Sequence, residues 1–550
     1  MESSRGFLVL VLAFITFMLY QQWQTDYSVK PESTSSQVSS LNGQPISAID
    51  DAPSTQTDIP SIAPATVSSV AESQNIVIDN DLLSIEVNTQ GGDIVSAKLK
   101  SFNINLNDES EKVALLISND ERTFVAKSGV LGTKTPDSLA KRATYQVTNQ
   151  SSENGKHILE LSWTNDTGVV FNKIFTLTDG RYDVAVDYKI NNTSSSDQSY
   201  QVFNQFNRDR FVQQTGSGFG VQAYTGAAYS SSESRYEKYD FEDMDDANLS
   251  VSTQAGWIAY LQHYFLAAWI PNQNTQNQLS TLVVNGLSII RVIQSPITVP
   301  ALTEKTIESV LYLGPKDPEV LESLADGLDL TVDYGIFWWI GKPIYAALSF
   351  FQSFVVNWGL AIILVTISVK ALLYPLASAQ YRSFGKMRML QPKLQQLKDR
   401  YGDDRQKMSM AMMELYKKEK VNPMGGCLPL LIQMPVFFAL YWVLLESYEI
   451  RHAPLALWIE DLSAADPLFI LPILMGASMW AMQKLQPTAA TMDPMQQKIM
   501  QYLPVMMTVF FVFFPSGLVL YWLINNVLSI AQQLYITSKI EKEYAAKKHS

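Results

Sequence analysis

Cysteine and histidine are almost missing from this 550-residue chain: Cys427 is the one cysteine, and the four histidines are His157, His263, His452 and His549. One cysteine excludes any disulfide within the chain. A domain lying outside the cytosol must then be held by its core alone, which a span of roughly 260 residues can manage. Cys427 itself reads as a small apolar residue rather than a catalytic thiol. No histidine falls in a long apolar run, so intramembrane serine proteolysis has no base, although Ser516 sits in a Pro-Ser-Gly turn. Neither a His-Glu-x-x-His zinc-protease motif nor a Walker A sequence occurs, so any work done is not driven by this chain's own nucleotide hydrolysis. Acids are nearly missing from the apolar runs too, with Glu446, near the end of one of them, as the exception.

What is present divides into two unlike parts. Residues 21–335 hold 20 Lys/Arg against 39 Asp/Glu, whereas residues 336–550 hold 20 against 13, within a total net charge of −12. An acidic first part and a basic, apolar second part fit a periplasmic domain joined to a membrane domain with a basic cytoplasmic face. They exclude a nucleic-acid binder, whose basic patch would sit on a soluble domain.

Residues 1–23 read as an uncleaved signal anchor with its N-terminus in the cytoplasm: Arg5 precedes the apolar run Phe7 to Tyr20, no small-x-small cleavage site follows, and Trp23 sits at the interface. Residues 24–74, rich in Ser, Thr, Pro, Gln and Asp, form a flexible periplasmic tether that cannot bury enough surface to order itself. Residues 75–333 alternate apolar and polar residues in short runs such as Leu83 to Val87, Asp93 to Leu99, His157 to Trp163 and Tyr182 to Tyr188. Gly91-Gly92, Asp179-Gly180 and Asn191-Asn192 supply turns. An all-β sandwich follows, closed by a helix from Asp317 to Leu328. The acidic run Arg235 to Asp246 lacks the spacing of a calcium loop and reads as a solvated loop.

Residues 334–538 form a membrane core. Its aromatic segment 334–351, broken at Pro343, lies in the interface plane. Apolar spans follow at Phe354 to Tyr374, Leu428 to Ser447 and Pro467 to Met482, then two more from Ile499 to Leu534 split at Phe514-Pro515-Ser516-Gly517. Residues 377–426 form a basic helical hairpin with Asp403 or Asp404 as an N-cap, fixed in the cytoplasm by its charge, and residues 539–550 are a basic cytoplasmic tail. The chain is thus a polytopic α-helical membrane protein, with six spans and five of them in the core, both termini cytoplasmic, and residues 24–353 on the periplasmic side. Several spans are shorter than the ~20 residues usually needed, which predicts local thinning of the bilayer.

Within that core the first span carries one charge, Lys370. A lysine there costs roughly 2.5–3.5 kcal/mol on insertion scales, so it either snorkels to the interface or faces a wet cavity. Thr366 lies four residues earlier on the same helix face. Tyr521, Asn525, Ser529 and Gln532 form a polar stripe on the last span, and Gln433 and Thr508 add polar groups elsewhere. Interhelical hydrogen bonds explain one or two of these. A cation without an acidic partner instead points to a hydrated groove open to cytosol that attracts an acidic or polar segment of another chain.

Lys420-Val421-Asn422-Pro423-Met424-Gly425-Gly426-Cys427-Leu428-Pro429 and its continuation through Gln433-Met434-Pro435 to Tyr441 resemble the signature of the YidC family of bacterial membrane protein insertases, related to the mitochondrial and chloroplast insertases. Lys386-Met387-Arg388 to Pro392, Asp493-Pro494-Met495-Gln496-Gln497-Lys498 and Phe514-Pro515-Ser516-Gly517-Leu518 support the resemblance, which covers residues 336–540. The layout of anchor, tether and β domain is similar to that of Gram-negative members, whose periplasmic domain is a β-supersandwich. The resemblance implies an inner-membrane insertase and chaperone, not an enzyme, without cofactor or metal. It acts on nascent membrane proteins alone or with the Sec translocon, and its cytoplasmic face is placed to meet the ribosome and the signal recognition particle receptor. The expected substrate groove comprises Lys370, Thr366, Gln433, Tyr521, Trp522 and Asn525. The family typically has arginine where this chain has Lys370, so the charge persists while the bidentate guanidinium grip does not. Two rivals stay open on the residues: a small-solute transporter or channel, and an assembly factor that chaperones helices without moving polar flanks.

Overall fold

The computed structural model describes residues 73–137, 142–211, 223–402, 404–419, 428–485 and 494–549. The signal-anchor reading, nearly all of the tether, Asp403 and the segment Lys420 to Cys427 lie outside the described residues. The chain divides into a β unit up to Val332 and a helical unit from Asp333.

The β unit is a sandwich of two antiparallel sheets, of ten and nine strands. The first is built around Thr123–Gly132 paired with Gln198–Arg208, and the second around Asp183–Asn192 paired with Thr303–Pro315. Alternation explains the inward faces. Phe171, Phe175 and Leu177 of Val170–Thr178, and Val184, Val186 and Ile190 of the next strand, are all fully buried. Rings from the two sheets meet across the core, Phe124 with Tyr260 at 5.5 Å and Phe171 with Tyr200 at 5.3 Å. Each such side chain contributes about 1.5–3 kcal/mol by leaving water, which suits a domain without disulfides.

One inward position breaks the pattern. Lys173, between Phe171 and Phe175, is fully buried. Its ammonium donates to the carbonyls of Gly91 and Ser128 at 3.2 and 3.0 Å. The same two carbonyls accept from Arg142, which also binds Asp137 at 2.6 Å and Asp93 at 2.5 Å. Gly91 and Gly92 make this possible: both have positive φ, and a Cβ on Gly91 would overlap the Arg142 guanidinium. Burial pushes the Arg142 guanidinium down, but Asp137 and Asp93 outweigh it and hold it well above its ordinary range. Burial lowers the Lys173 ammonium to about 7, the pull of Asp93 offsetting it only in part.

Two sequence readings in this unit change. Asn191-Asn192 is the end of a strand rather than a turn, because the Asn192 amide donates to the carbonyls of Ser196, Val299 and Pro300 and so anchors the loop that follows it. The acidic run holds a strand, Glu237–Tyr239, and a short helix α1, Phe241–Asp246, not an open loop. Asp240 and Asp243 form a reciprocal capping box at the start of α1. Helix α2, Pro318–Leu324, is capped by Asp317 and stops earlier than the pattern suggests, Leu328–Thr331 forming a separate 3-10 turn.

The helical unit contains α3 (Trp338–Val355), α4 (Trp358–Leu372), α5 (Tyr374–Tyr401), α6 (Arg405–Lys418), α7 (Leu428–Glu446), α8 (Ile470–Leu485), α9 (Pro494–Phe511) and α10 (Ser516–His549). Helix α3 continues through Pro343 instead of breaking there. Val356 adopts a left-handed conformation that ends α3, and Asn357 caps α4 by accepting from the Leu360 amide, so the first core helix starts at Trp358, not at Phe354. Helices α4 and α5 meet at a 67° bend, with Pro375 in the first turn of α5, where no amide donor is needed. Asp404 caps α6 through the amides of Gln406 and Lys407, and α5 packs on α6 through Leu390 and Leu394 against Met412, Leu415 and Tyr416. Among the described residues no single helix is long and apolar enough to cross a membrane, and α4 with α5 passes that test only as a bent pair.

Candidate functional site

The bend between α4 and α5 opens a pocket in the helical unit. It is walled by Thr366 and Lys370 of α4, Gln380 and Tyr381 of α5, Gln433 of α7, and Tyr521 and Asn525 of α10. It is partly open, with a cavity volume of about 30 Å3. At 10–15 Å3 each, that is room for about two or three waters.

Lys370 lies in the last turn of α4, where the unpaired carbonyls favour a cation. Its side chain is 8 % exposed and donates to the Ser529 hydroxyl at 2.7 Å. Ser529 in turn donates to the Asn525 carbonyl at 2.7 Å, and the Tyr381 phenol faces the same hydroxyl. Among the described residues no carboxylate lies within ion-pair distance of Lys370. An ammonium has three donors, so two remain for the pocket, a number its water-sized volume can serve. Across the pocket the Gln433 amide donates to the Asn525 side chain at 2.7 Å and ties α7 to α10. Thr366 satisfies its hydroxyl on the Ile362 carbonyl at 2.7 Å and presents its remaining surface to the pocket.

Five of the six groove residues read from the sequence wall this pocket: Lys370, Thr366, Gln433, Tyr521 and Asn525. Trp522 does not. One residue beyond Tyr521, it is turned about 100° around the helix and packs edge-on against Phe437 at 4.4 Å and against Phe511 at 5.0 Å. Thr508 is also elsewhere: it binds the Pro504 carbonyl and faces Gly476 on α8. Gln532 falls outside the pocket, with its side-chain oxygen buried and without a partner among the described residues. Ser529 is the direct partner of Lys370, although the stripe gave it no special weight. Gln380 and Tyr381 were missed altogether. The signal existed, because Thr366, Lys370, Leu373, Ala377 and Tyr381 are one stripe at spacings of three and four; reading Pro375 as the end of the segment hid it.

The fold and site define a protein with an all-β domain ahead of an apolar helical unit that encloses a cation without a counter-ion among the described residues. Residues 75–347 match the family model described as the YidC periplasmic domain, and residues 350–543 match that of the 60Kd inner membrane protein. Curated relatives called membrane protein insertase YidC include those of Actinobacillus succinogenes, 49 % identical over 99 % of this chain and 98 % of the relative, and Shewanella loihica, 48 % identical over 99 % of both. A third, from Pasteurella multocida, is 48 % identical over the full length of both chains. The chain belongs to the YidC family. These relatives lend no support to the small-solute transporter alternative.

Proposed function

We propose that the chain is a membrane protein insertase and chaperone of the bacterial inner membrane, working alone or with the Sec translocon. The single observation that carries this reading is Lys370, buried at a pocket with room for water and without a carboxylate partner among the described residues. Full-length relatives that carry the insertase name support it. The apolar exterior of the helical unit supports membrane residence: Phe354, Leu372, Ile473, Val505, Val509 and Leu534 are each at least half exposed.

In this mechanism a nascent apolar segment binds along the lipid-facing side of the helices while its short polar flank enters the wet pocket. Lys370 attracts an acidic flank. Thr366, Gln433, Tyr521 and Asn525 replace part of its hydration, which shortens the low-dielectric path to be crossed. Release follows as the apolar segment partitions into lipid, burial of apolar area driving the step. The topology proposed with it has six spans, namely the signal anchor at 1–23, α4, α7, α8, α9 and α10, with α3 at the interface, both termini cytoplasmic and the β unit periplasmic. The basic pair α5 and α6 then faces the cytosol, where it receives substrates and meets the ribosome or the signal recognition particle receptor.

Purified protein alone in liposomes tests the reading. It should translocate a short N-terminal tail of a single-span substrate, scored by protease protection. Solute flux through the same liposomes without tail translocation would point to a channel, and helix folding without tail translocation to a chaperone that moves no polar flank.

A further inference from the structure

A second pocket, half open and with a cavity of about 130 Å3, lies between α5, α8 and α10, lined by Arg388, Leu485, Gln533, Leu534, Thr537, Ser538 and Glu541. It shares no residue with the pocket at Lys370. Its chemistry is distinctive: a guanidinium and a carboxylate both line it, yet neither takes an ion-pair partner among the described residues. The Gln533 amide is already committed to the Leu485 carbonyl at 2.9 Å. Arg388, Thr537, Ser538 and Glu541 are left to face a ligand. Two opposite charges held apart across one pocket are complementary to a zwitterion, whereas a simple anion would meet the Glu541 carboxylate and a simple cation would meet Arg388.

Position narrows the choice. On α10 the pocket falls where the surface changes character. Val527, Leu534 and Tyr535 are 48, 51 and 64 % exposed, and Lys539, Glu541 and Lys542 follow within two turns. In a membrane that border is the level of the lipid headgroups, with acyl chains along Leu534 and Tyr535.

We propose that this pocket binds the headgroup of a phosphoethanolamine lipid, its phosphate held by Arg388 and the Thr537 and Ser538 hydroxyls, and its primary ammonium by Glu541. A quaternary choline has no N–H to donate to the carboxylate, and a glycerol headgroup offers Glu541 hydroxyls but no cation to offset its charge beside a phosphate, so both are discriminated against. The site rests on membrane residence but not on insertase activity, so its failure and the failure of that activity are read separately.

The test reconstitutes the full-length protein in vesicles of equal parts phosphatidylethanolamine, phosphatidylcholine and phosphatidylglycerol, extracts it in mild detergent, and counts retained lipid by native mass spectrometry. One phosphatidylethanolamine per chain should be retained in preference to the other two. Glu541→Gln should reduce that preference about tenfold, and Arg388→Gln should reduce retention of all three lipids about tenfold, each the effect of removing one charge-assisted hydrogen bond. Lys386→Gln, a neighbouring exposed cation outside the pocket, should leave both unchanged. Equal retention of all three lipids, full preference in Glu541→Gln, or an equal loss in Lys386→Gln would overturn the proposal. So would displacement of the lipid by millimolar free phosphoethanolamine, which would assign the pocket to a soluble zwitterion.

Discussion

Lys173 and Lys370 are two of the buried lysines among the described residues, and their surroundings differ. Lys173 sits between sheets beside a guanidinium and two carboxylates, and burial holds its ammonium at about 7 against an ordinary value of 10.5. The unfolded chain therefore keeps this proton up to about 10.5, while the folded chain gives it up near 7. Between those values the unfolded state binds more protons, so stability of the β unit rises with pH, by at most about 1.4 kcal/mol per pH unit. Below 7 both states are protonated and the whole cost of burial is present. Hydrogen exchange of the Val170–Thr178 amides, corrected for intrinsic rate, should slow from pH 7 to 9, and Lys173→Met should flatten that dependence. Nothing in the alternation of that strand marks Lys173 as inward except its even spacing from Phe171 and Phe175, and its partners are distant in sequence. Lys370 was legible because an apolar run isolates it. Its partner Ser529 was visible only as one of several polar residues, since contact between α4 and α10 is a tertiary fact.

At the scale of elements, strands and caps were the most readable features, because each depends on residues only a few positions apart. Leu83 to Val87 and His157 to Trp163 fall within the strands Leu83–Asn88 and Lys156–Thr164, and Asp404 caps α6. Helix ends set by tertiary contacts were less readable. The start of α4 depends on Asn357, whose amide also donates to the carbonyls of Pro454 and Leu455 almost a hundred residues away. The 67° bend after Leu372 was invisible because Pro375 signals a helix start and a helix stop equally well. Close helix packing yields a separate prediction. A Cβ on Gly476 of α8 would overlap the Thr508 hydroxyl of α9, so Gly476→Ala should destabilise this pair by about 1–3 kcal/mol. The loss should appear as faster hydrogen exchange along both helices. Thr508→Ala removes the hydroxyl that clashes, so the double variant should recover most of the protection; a double variant no better than Gly476→Ala would show that the contact is not what sets the spacing.

For the whole molecule, the division of charge between the two halves corresponds to a β unit and a helical unit, a distinction that composition alone carries. Short helices have a consequence at this scale. Helix α4 has 15 residues, about 22 Å at 1.5 Å per residue, against a hydrocarbon core of ~30 Å. The mismatch favours a locally thinned bilayer, so translocation of a polar tail should be faster in liposomes of 14-carbon lipids than in those of 20-carbon lipids; the reverse order would remove thinning from the mechanism. The central claim is that one buried ammonium, kept wet and without a counter-ion among the described residues, draws a polar flank into the membrane. Its most direct measurement is translocation by purified protein in liposomes of one substrate tail carrying zero, one or two acidic residues, compared between the natural chain and Lys370→Arg, Lys370→Gln and Lys370→Glu. The account predicts that Lys370→Arg keeps the activity, that Lys370→Gln loses roughly tenfold on the acidic tails while sparing the neutral one, and that Lys370→Glu abolishes translocation of the acidic tails. Equal translocation of all three tails by Lys370→Glu would contradict it.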